Sequence, residues 1–259
     1  MKMLKLLPAV LLAAMILASC SGKGSGGGQT SEGTKHGTVS ASGENTTVPA
    51  ATLPETEHPV TTTPQTDEPA AVDFSDTLFI GDSRTAGLYL YGRIDGAKYF
   101  ARTSMNVFNC FNDKPSETGT GDAALEEYLS THEFGKIYIL LGINEIGYPY
   151  DSIINGYDKL VGKLKTLQPQ ARIVIQSNMY VTKEKSDANP KTFSNDRINT
   201  LNERLEKLCG EKGIFFLDIA PAFDDGNGAL DTKYSREGIH FNAEGYHVWH
   251  DWLLANGIV

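Results

Sequence analysis

The chain has 259 residues and a formal net charge of −9 at pH 7, which is enough material for one sizeable domain and further segments. Because no basic patch accompanies the acidic balance, the sequence argues against nucleic-acid binding and against electrostatic docking on an anionic membrane. Three cysteines, Cys20, Cys110 and Cys209, are too few for a disulfide framework. A disulfide between Cys110 and Cys209 remains an alternative, although two buried free thiols are the favoured interpretation. No Cys/His cluster has zinc spacing, so we expect no metal site.

The first 20 residues have the pattern of an export signal. A short basic segment, Met1–Lys5, precedes an apolar run, Leu6–Ala18, that is too short to span a bilayer as a stable anchor. The tetrapeptide Leu17-Ala18-Ser19-Cys20 resembles the lipobox of bacterial lipoproteins. This resemblance implies that residues 1–19 are removed and that a diacylated Cys20 holds the protein on the outer face of a bacterial membrane. The alternative is a plain signal peptide with an incidental cysteine.

Residues 20–72 are rich in Gly, Ser, Thr, Pro and Glu and have almost no large apolar side chains. Such a segment cannot bury enough apolar surface to offset its ordering entropy, so we expect a disordered stalk. Prolines at five-residue intervals stiffen its second part, namely Pro49, Pro54, Pro59, Pro64 and Pro69. We interpret this stalk as a tether between the membrane and a folded domain at residues 73–259.

From Asp73 onward, short apolar runs alternate with amphipathic patterns, which is typical of a parallel α/β sheet. The run Ile137–Leu141 is continuously apolar, as expected of a strand covered on both faces. Strands are predicted at Thr77–Ile80, Lys98–Ala101, Lys136–Leu141, Arg172–Gln176 and Ile214–Leu217, and helices at Thr85–Tyr91, Ala123–Ser130, Ser152–Leu167, Ser194–Gly210 and Ala243–Ala255. Five strands with about five helices predict one three-layer α/β/α sandwich.

Ser83 is the candidate around which the domain is organised. The segment Gly81-Asp82-Ser83-Arg84 joins the first predicted strand to the first predicted helix. Open α/β sheets bind ligands at the carboxyl ends of their strands, and a helix N-terminus favours a developing anion. Ser83 could therefore be a nucleophile, but Asp and Ser are also ordinary helix caps, so a simple capped turn is the alternative.

Other strand ends supply partners for Ser83. His240 lies in a loop before the last helix, three residues after Glu237, so it could act as a base that this carboxylate orients. Asn144 follows the third strand and could donate to an oxyanion, although a turn asparagine is the alternative. Candidates for substrate binding are Arg84, Asn178 and Tyr180. For Arg84, a salt bridge to Asp82 or another carboxylate is equally open.

Together these segments resemble the SGNH or GDSL-type esterase/acylhydrolase superfamily over about Asp73 to Val259. The residues that carry the resemblance are Gly81-Asp82-Ser83, Gly142-Ile143-Asn144-Glu145 and Gly238-Ile239-His240-Phe241-Asn242-Ala243-Glu244-Gly245-Tyr246. The resemblance implies a flavodoxin-like five-stranded sheet and ester hydrolysis through an acyl-serine, without metal or other cofactor. It makes Ser83 the nucleophile and His240 the base. The oxyanion hole would comprise the Ser83 N–H, a backbone N–H after the second strand, and the Asn144 side chain.

The sequence departs from the family pattern at two positions. Ser104 is the equivalent of a usual glycine donor after the second strand, and Glu237 stands where the family has an aspartate. A backbone N–H can come from any residue whose conformation permits it, and glutamate can still orient an imidazole. Asp231 is the less favoured alternative acid.

The predicted function is removal of a small acyl group, with acetyl as the favoured group, from a carbohydrate or another small ester at the cell surface. An O-acyltransferase that uses the same residues and a non-catalytic glycan-binding domain are the alternatives.

Overall fold

A computed structural model describes residues 72–259, which form a five-stranded parallel sheet with helices on both faces. The strands are β1 (Thr77–Gly81), β2 (Lys98–Ala101), β3 (Lys136–Leu140), β4 (Arg172–Gln176) and β5 (Phe215–Leu217). Their order across the sheet is β2-β1-β3-β4-β5, which is the flavodoxin-like arrangement. The predicted fold class is therefore confirmed, with strand ends that shift by at most one residue.

Six α-helices accompany the sheet: α1 (Ser83–Tyr91), α2 (Leu125–Thr131), α3 (Tyr150–Leu167), α4 (Lys183–Ala188), α5 (Asn195–Lys212) and α6 (Ala243–Asn256). The sequence patterns predict five of them. They miss α4, whose six residues are mostly polar and include no buried side chain, because a helix without an apolar stripe leaves no periodic signal. Its start is marked only by the Thr182 hydroxyl, which caps the helix.

Two apolar clusters cover the two faces of the sheet. Alternate residues of β3 divide between them, with Ile137 and Ile139 on one side and Tyr138 and Leu140 on the other. The first cluster includes side chains of α2, α3 and α5, and the second includes side chains of α1 and α6. All five residues of β3 are buried, as its continuous apolar run predicts.

Cys110 and Cys209 are buried free thiols, which confirms the favoured interpretation of the sequence. Burial raises the pKa of each thiol to about 12. The predicted signal peptide, Cys20 and the stalk up to residue 71 lie outside the described residues. Within residues 72–259, no helix has the length and apolar character needed to cross a membrane.

Candidate active site

Ser83, His240 and Glu237 form a chain of hydrogen bonds beyond the carboxyl edge of the sheet. Ser83 Oγ lies 2.8 Å from His240 Nε2. On the other side of the ring, His240 Nδ1 lies 2.9 Å from Glu237 Oε1. An acid, an imidazole and a hydroxyl in this sequence can activate the hydroxyl as a nucleophile. The structure thus brings together three residues that are 157 positions apart at most in the chain.

Ser83 is free for this contact because its neighbour caps the helix. Asp82 Oδ1 accepts the Arg84 N–H at 2.8 Å, which makes Asp82 the N-cap of α1. The hydroxyl of Ser83, the first helical residue, then faces His240 instead of the helix backbone. Asp82 is therefore the helix cap, and Ser83 is the candidate nucleophile. The N–H groups of the first turn of α1 that the cap does not use remain available for an anion.

Gly81 allows β1 and α1 to meet closely below Ser83. A Cβ atom at Gly81 would lie 2.0 Å from Thr85 Oγ1 and 2.8 Å from the Leu140 carbonyl oxygen. The second contact is with backbone, so a side chain would force β1 away from β3. Gly81 is also in register with Ala101 of β2 and Leu140 of β3. The three strands therefore end side by side, and the loops that follow them start at the same edge of the sheet.

The histidine loop is held at both ends. Gly238 has a φ of +90°, its N–H donates to Ser235 Oγ at 2.9 Å, and its carbonyl accepts the Thr182 N–H at 3.0 Å. After His240, the Asn242 side chain caps α6.

Helices α6 and α1 also pack closely. A Cβ atom at Gly87 of α1 would lie 2.0 Å from the Tyr246 hydroxyl oxygen of α6, so the contact requires a residue without a side chain at this position.

Glu237 is prepared to act as a carboxylate. Its Oε1 accepts the backbone N–H groups of Ile239, at 3.2 Å, and of His240. Burial alone would raise the pKa of Glu237, but these N–H groups and the His240 ring outweigh it and lower the pKa. Asp231, the alternative acid, instead caps a short 3₁₀ helix and pairs with Lys233 Nζ at 3.0 Å.

Ser104 adopts the backbone conformation that glycine favours. It has a φ of +65° and is the one non-glycine residue of the described chain with a positive φ. The segment turns here, since the Met105 N–H donates to the Arg102 carbonyl at 3.2 Å. Serine thus holds a left-handed conformation that glycine would adopt without steric cost, at a cost of about 1 kcal/mol.

Asn144 is exposed, and its side chain joins the loops after β2 and β3. Its Nδ2 donates to the Met105 carbonyl at 2.8 Å, which leaves one N–H of the amide for a substrate oxygen. The next residue, Glu145, adds a second link, because its Oε1 accepts the Val107 N–H at 2.7 Å.

Two residues predicted to bind substrate prove to be internal. Arg84 is 1% exposed, and its Nη1 donates to the Met179 carbonyl at 3.0 Å. Asn178 is also buried, and its Nδ2 donates to the Leu141 carbonyl at 2.8 Å. These contacts fix the loops after β4 and β3, so the prediction of substrate contact is corrected for both residues. Tyr180 is half-buried against the two apolar clusters, and its role stays a prediction.

Glu145 is a site residue whose importance the sequence does not reveal. It is almost fully buried, and burial raises its pKa to about 7, with the Asp82 charge adding to the effect and the Val107 N–H opposing it. Its place directly after Asn144 is visible in the sequence, but a loop position has no periodicity that would indicate burial.

No group of three or more His, Cys, Asp or Glu side chains in residues 72–259 is arranged to hold a metal ion.

Comparison with known proteins identifies the family. The model of the GDSL-like Lipase/Acylhydrolase family matches residues 79–248, which is more than half of the chain. Platelet-activating factor acetylhydrolase IB subunit alpha1 of Pongo abelii is 26% identical over 110 residues, or 42% of this chain and 46% of that protein. The chain thus matches less than half the length of this relative.

Solved structures share the fold. A GDSL-like lipase from Bacteroides thetaiotaomicron superposes with a TM-score of 0.53 at 15% identity, covering 68% of this chain and 85% of the other. A mutant of an acetyl-xylooligosaccharide esterase from Geobacillus Stearmophilus has a TM-score of 0.50 at 15% identity, covering 71% and 94%. The family match and the shared fold show that the chain belongs to the GDSL-like lipase/acylhydrolase family, the SGNH-type ester hydrolases.

Proposed function

We propose that the protein is a serine esterase that removes a small acyl group, with acetyl as the favoured group, from a carbohydrate or another small ester. The observation that carries the proposal is the hydrogen-bonded chain from Ser83 Oγ through His240 to Glu237. A hydroxyl in contact with an imidazole can attack an ester carbonyl when the imidazole takes its proton.

In the first half of the reaction, His240 Nε2 accepts the Ser83 proton while Ser83 Oγ bonds to the ester carbon. The carbonyl oxygen becomes an oxyanion, which the N–H groups of Ser83 and Ser104 and the Asn144 amide stabilise. His240 then gives its proton to the departing alcohol oxygen, the ester C–O bond breaks, and an acyl-serine remains.

In the second half, His240 takes a proton from water, and the resulting hydroxyl attacks the acyl carbon. Collapse of this second tetrahedral intermediate returns the proton to Ser83 Oγ and releases the carboxylic acid. Glu237 holds the ring through Nδ1 in both halves and stabilises the imidazolium that forms in each.

Support for a small acyl group and a carbohydrate comes from two sources. The names of the platelet-activating factor acetylhydrolase and of the acetyl-xylooligosaccharide esterase both refer to acetyl groups. In this chain, Asn144 opens onto a cavity of about 410 Å³ beside exposed residues, a size that suits a small ligand.

The proposal also states where the protein acts, namely on the outer face of a membrane. The order of basic segment, apolar run and Leu17-Ala18-Ser19-Cys20 in the sequence supports a lipid anchor at Cys20, with residues 21–72 as the tether. The substrate would then be an acylated glycan or small ester outside the membrane.

Hydrolysis of p-nitrophenyl acetate by the full chain tests the activity. The Ser83→Ala and His240→Ala variants should each lower kcat at least about 10³-fold. A wild-type rate no higher than that of either variant would refute the esterase proposal.

A further inference from the structure

Two exposed aromatic rings lie side by side on the loops that carry the oxyanion donors. Tyr148 is 56% exposed and Phe108 is 45% exposed. Their ring centroids are 5.3 Å apart, and the ring planes are inclined at 58°. Tyr148 follows Asn144 by four residues, and Phe108 follows Ser104 by four. Tyr148 and Asn144 line the same cavity, so the pair stands beside the Asn144 donor.

Cavities open on both sides of this aromatic pair. The Tyr148 side has the cavity of about 410 Å³, and Asn144 itself contributes to its wall. The Phe108 side has a second cavity of about 580 Å³ between Phe111 and α3. We call the two rings, together with the cavity on either side of them, the aromatic groove; Asn144 lies at its Tyr148 end.

Helices α5 and α3 fix the backbone and the rings of the aromatic groove. Arg197 of α5 donates from Nε to the Ile146 carbonyl at 2.7 Å and from Nη2 to the Tyr148 carbonyl at 2.9 Å. The Phe108 ring lies against α3 at Gly156, where a Cβ would be 3.4 Å from Phe108 Cδ1. Rings on a braced backbone lose little conformational freedom when a ligand binds.

The second cavity has a polar wall. Ser152 and Asn155 of α3 and Asn112 of the facing loop are exposed and contribute to it. A long acyl chain would cover these groups without satisfying their hydrogen bonds, which is unfavourable. A sugar ring has C–H groups on its faces and hydroxyls around its rim, so it can contact aromatic rings and hydrogen-bond to amides at once.

We propose that the aromatic groove binds sugar rings of an oligosaccharide whose acylated unit lies at Ser83, an inference that rests on the proposed esterase function. The substrate would thus be an ester of an extended glycan, bound across Tyr148 and Phe108.

A variant that cannot hydrolyse the ester allows glycan binding to be measured separately from catalysis. The Ser83→Ala full chain is titrated calorimetrically with xylohexaose, cellohexaose and chitohexaose. At least one should bind, and adding Tyr148→Ala or Phe108→Ala should weaken that Kd at least about tenfold. Tyr91 and Phe215 are matched controls, with exposures of 55% and 43%, at the far end of α1 and the start of β5. Absence of binding by all three glycans, or equal weakening by Tyr91→Ala and Phe215→Ala, would overturn the proposal.

Kinetics separates this inference from the esterase proposal. The ratio of kcat/KM for acetylated xylohexaose to kcat/KM for p-nitrophenyl acetate should fall at least about tenfold in Tyr148→Ala and Phe108→Ala, relative to both controls. If p-nitrophenyl acetate is hydrolysed and the ratio is unchanged, the groove proposal fails alone. If the full chain hydrolyses neither ester but glycan binding still depends on Tyr148, the esterase proposal fails and the groove stands.

Discussion

The Asn144 side chain donates from Nδ2 to the Met105 carbonyl at 2.8 Å, so the loop after β3 holds the loop after β2. Ser104, the second backbone donor of the proposed oxyanion hole, immediately precedes Met105. One hydrogen bond thus fixes two donors from different strands relative to each other. Preorganised donors of this kind need no rearrangement when charge develops on the substrate.

Replacing Asn144 with alanine should lower kcat for p-nitrophenyl acetate by about 10²–10³-fold, because the variant loses a donor to the oxyanion and loosens the Ser104 turn. Steady-state kinetics measures the change. Asn256→Ala is the matched control, since its amide also donates to a backbone carbonyl, that of Trp252 at 2.9 Å, but at the end of α6. An Asn144→Ala enzyme as active as this control would contradict the role.

Replacing Ser104 with glycine should raise the free energy of unfolding by up to about 1 kcal/mol, because glycine adopts the left-handed conformation without steric cost. Urea denaturation measures the difference. Activity should persist, since the donor is the backbone N–H. The control Ser130→Gly lies within α2, where glycine should destabilise the protein. A less stable Ser104→Gly protein would show that the φ of +65° carries no strain.

Replacing Glu237 with glutamine should lower kcat at least about 10²-fold, because a neutral amide cannot stabilise the imidazolium. Asp231→Asn is the matched control for the loss of a carboxylate, and it should retain most activity because Asp231 contacts Lys233. Both variants are assayed with p-nitrophenyl acetate at neutral pH. The reverse ranking would make Asp231 the acid.

Replacing Glu145 with glutamine should stabilise the protein more at pH 8 than at pH 5. The folded-state pKa of about 7 lies above the ordinary 4.5, so the wild-type stability linked to this group is present below pH 4.5 and lost as pH rises through 7. Glutamine does not ionise, and its Oε1 can still accept the Val107 N–H. At pH 8, the expected increase in the free energy of unfolding is of the order of 3 kcal/mol or less.

Urea denaturation at the two pH values measures this gain. Glu127→Gln, at an exposed position of α2, controls for the loss of one negative charge. Equal effects of Glu145→Gln at pH 5 and pH 8 would contradict ionisation of the buried carboxyl.

Replacing Cys20 with alanine should release the protein from membranes of the expressing bacterium, because diacylation requires the cysteine. Fractionation followed by immunoblotting measures the membrane-bound share. An unchanged membrane fraction would rule out the lipid anchor.

The sheet and the chemistry at its edge could be predicted because they depend on local patterns. Apolar runs locate β1 to β5 within one residue, and Ser83, Asn144 and His240 follow or precede elements that the patterns define. The Ser83–His240 contact and the place of Asn144 on the loop after β3 follow from parallel strands that end at one edge of the sheet. At the nucleophile itself, the structure adds the division of capping and catalysis between Asp82 and Ser83.

Burial of single polar side chains could not be predicted. Arg84 and Asn178 adjoin strand ends and look available for ligands, yet both turn inward to bind backbone carbonyls. Glu145 is buried for the same reason, as an acceptor for a loop N–H. Such contacts join residues distant in the chain, so neither composition nor periodicity contains them.

The close packing of Gly87 against Tyr246 ties the Ser83 helix to the helix that follows His240. Distance between nucleophile and base is therefore set inside an apolar cluster, and substitutions there would alter folding and turnover together. The loops with Tyr148 and Phe108 lie outside this contact. Substitutions in those loops can thus change which ligands the groove accepts, while the core keeps the Ser83–His240 spacing unchanged.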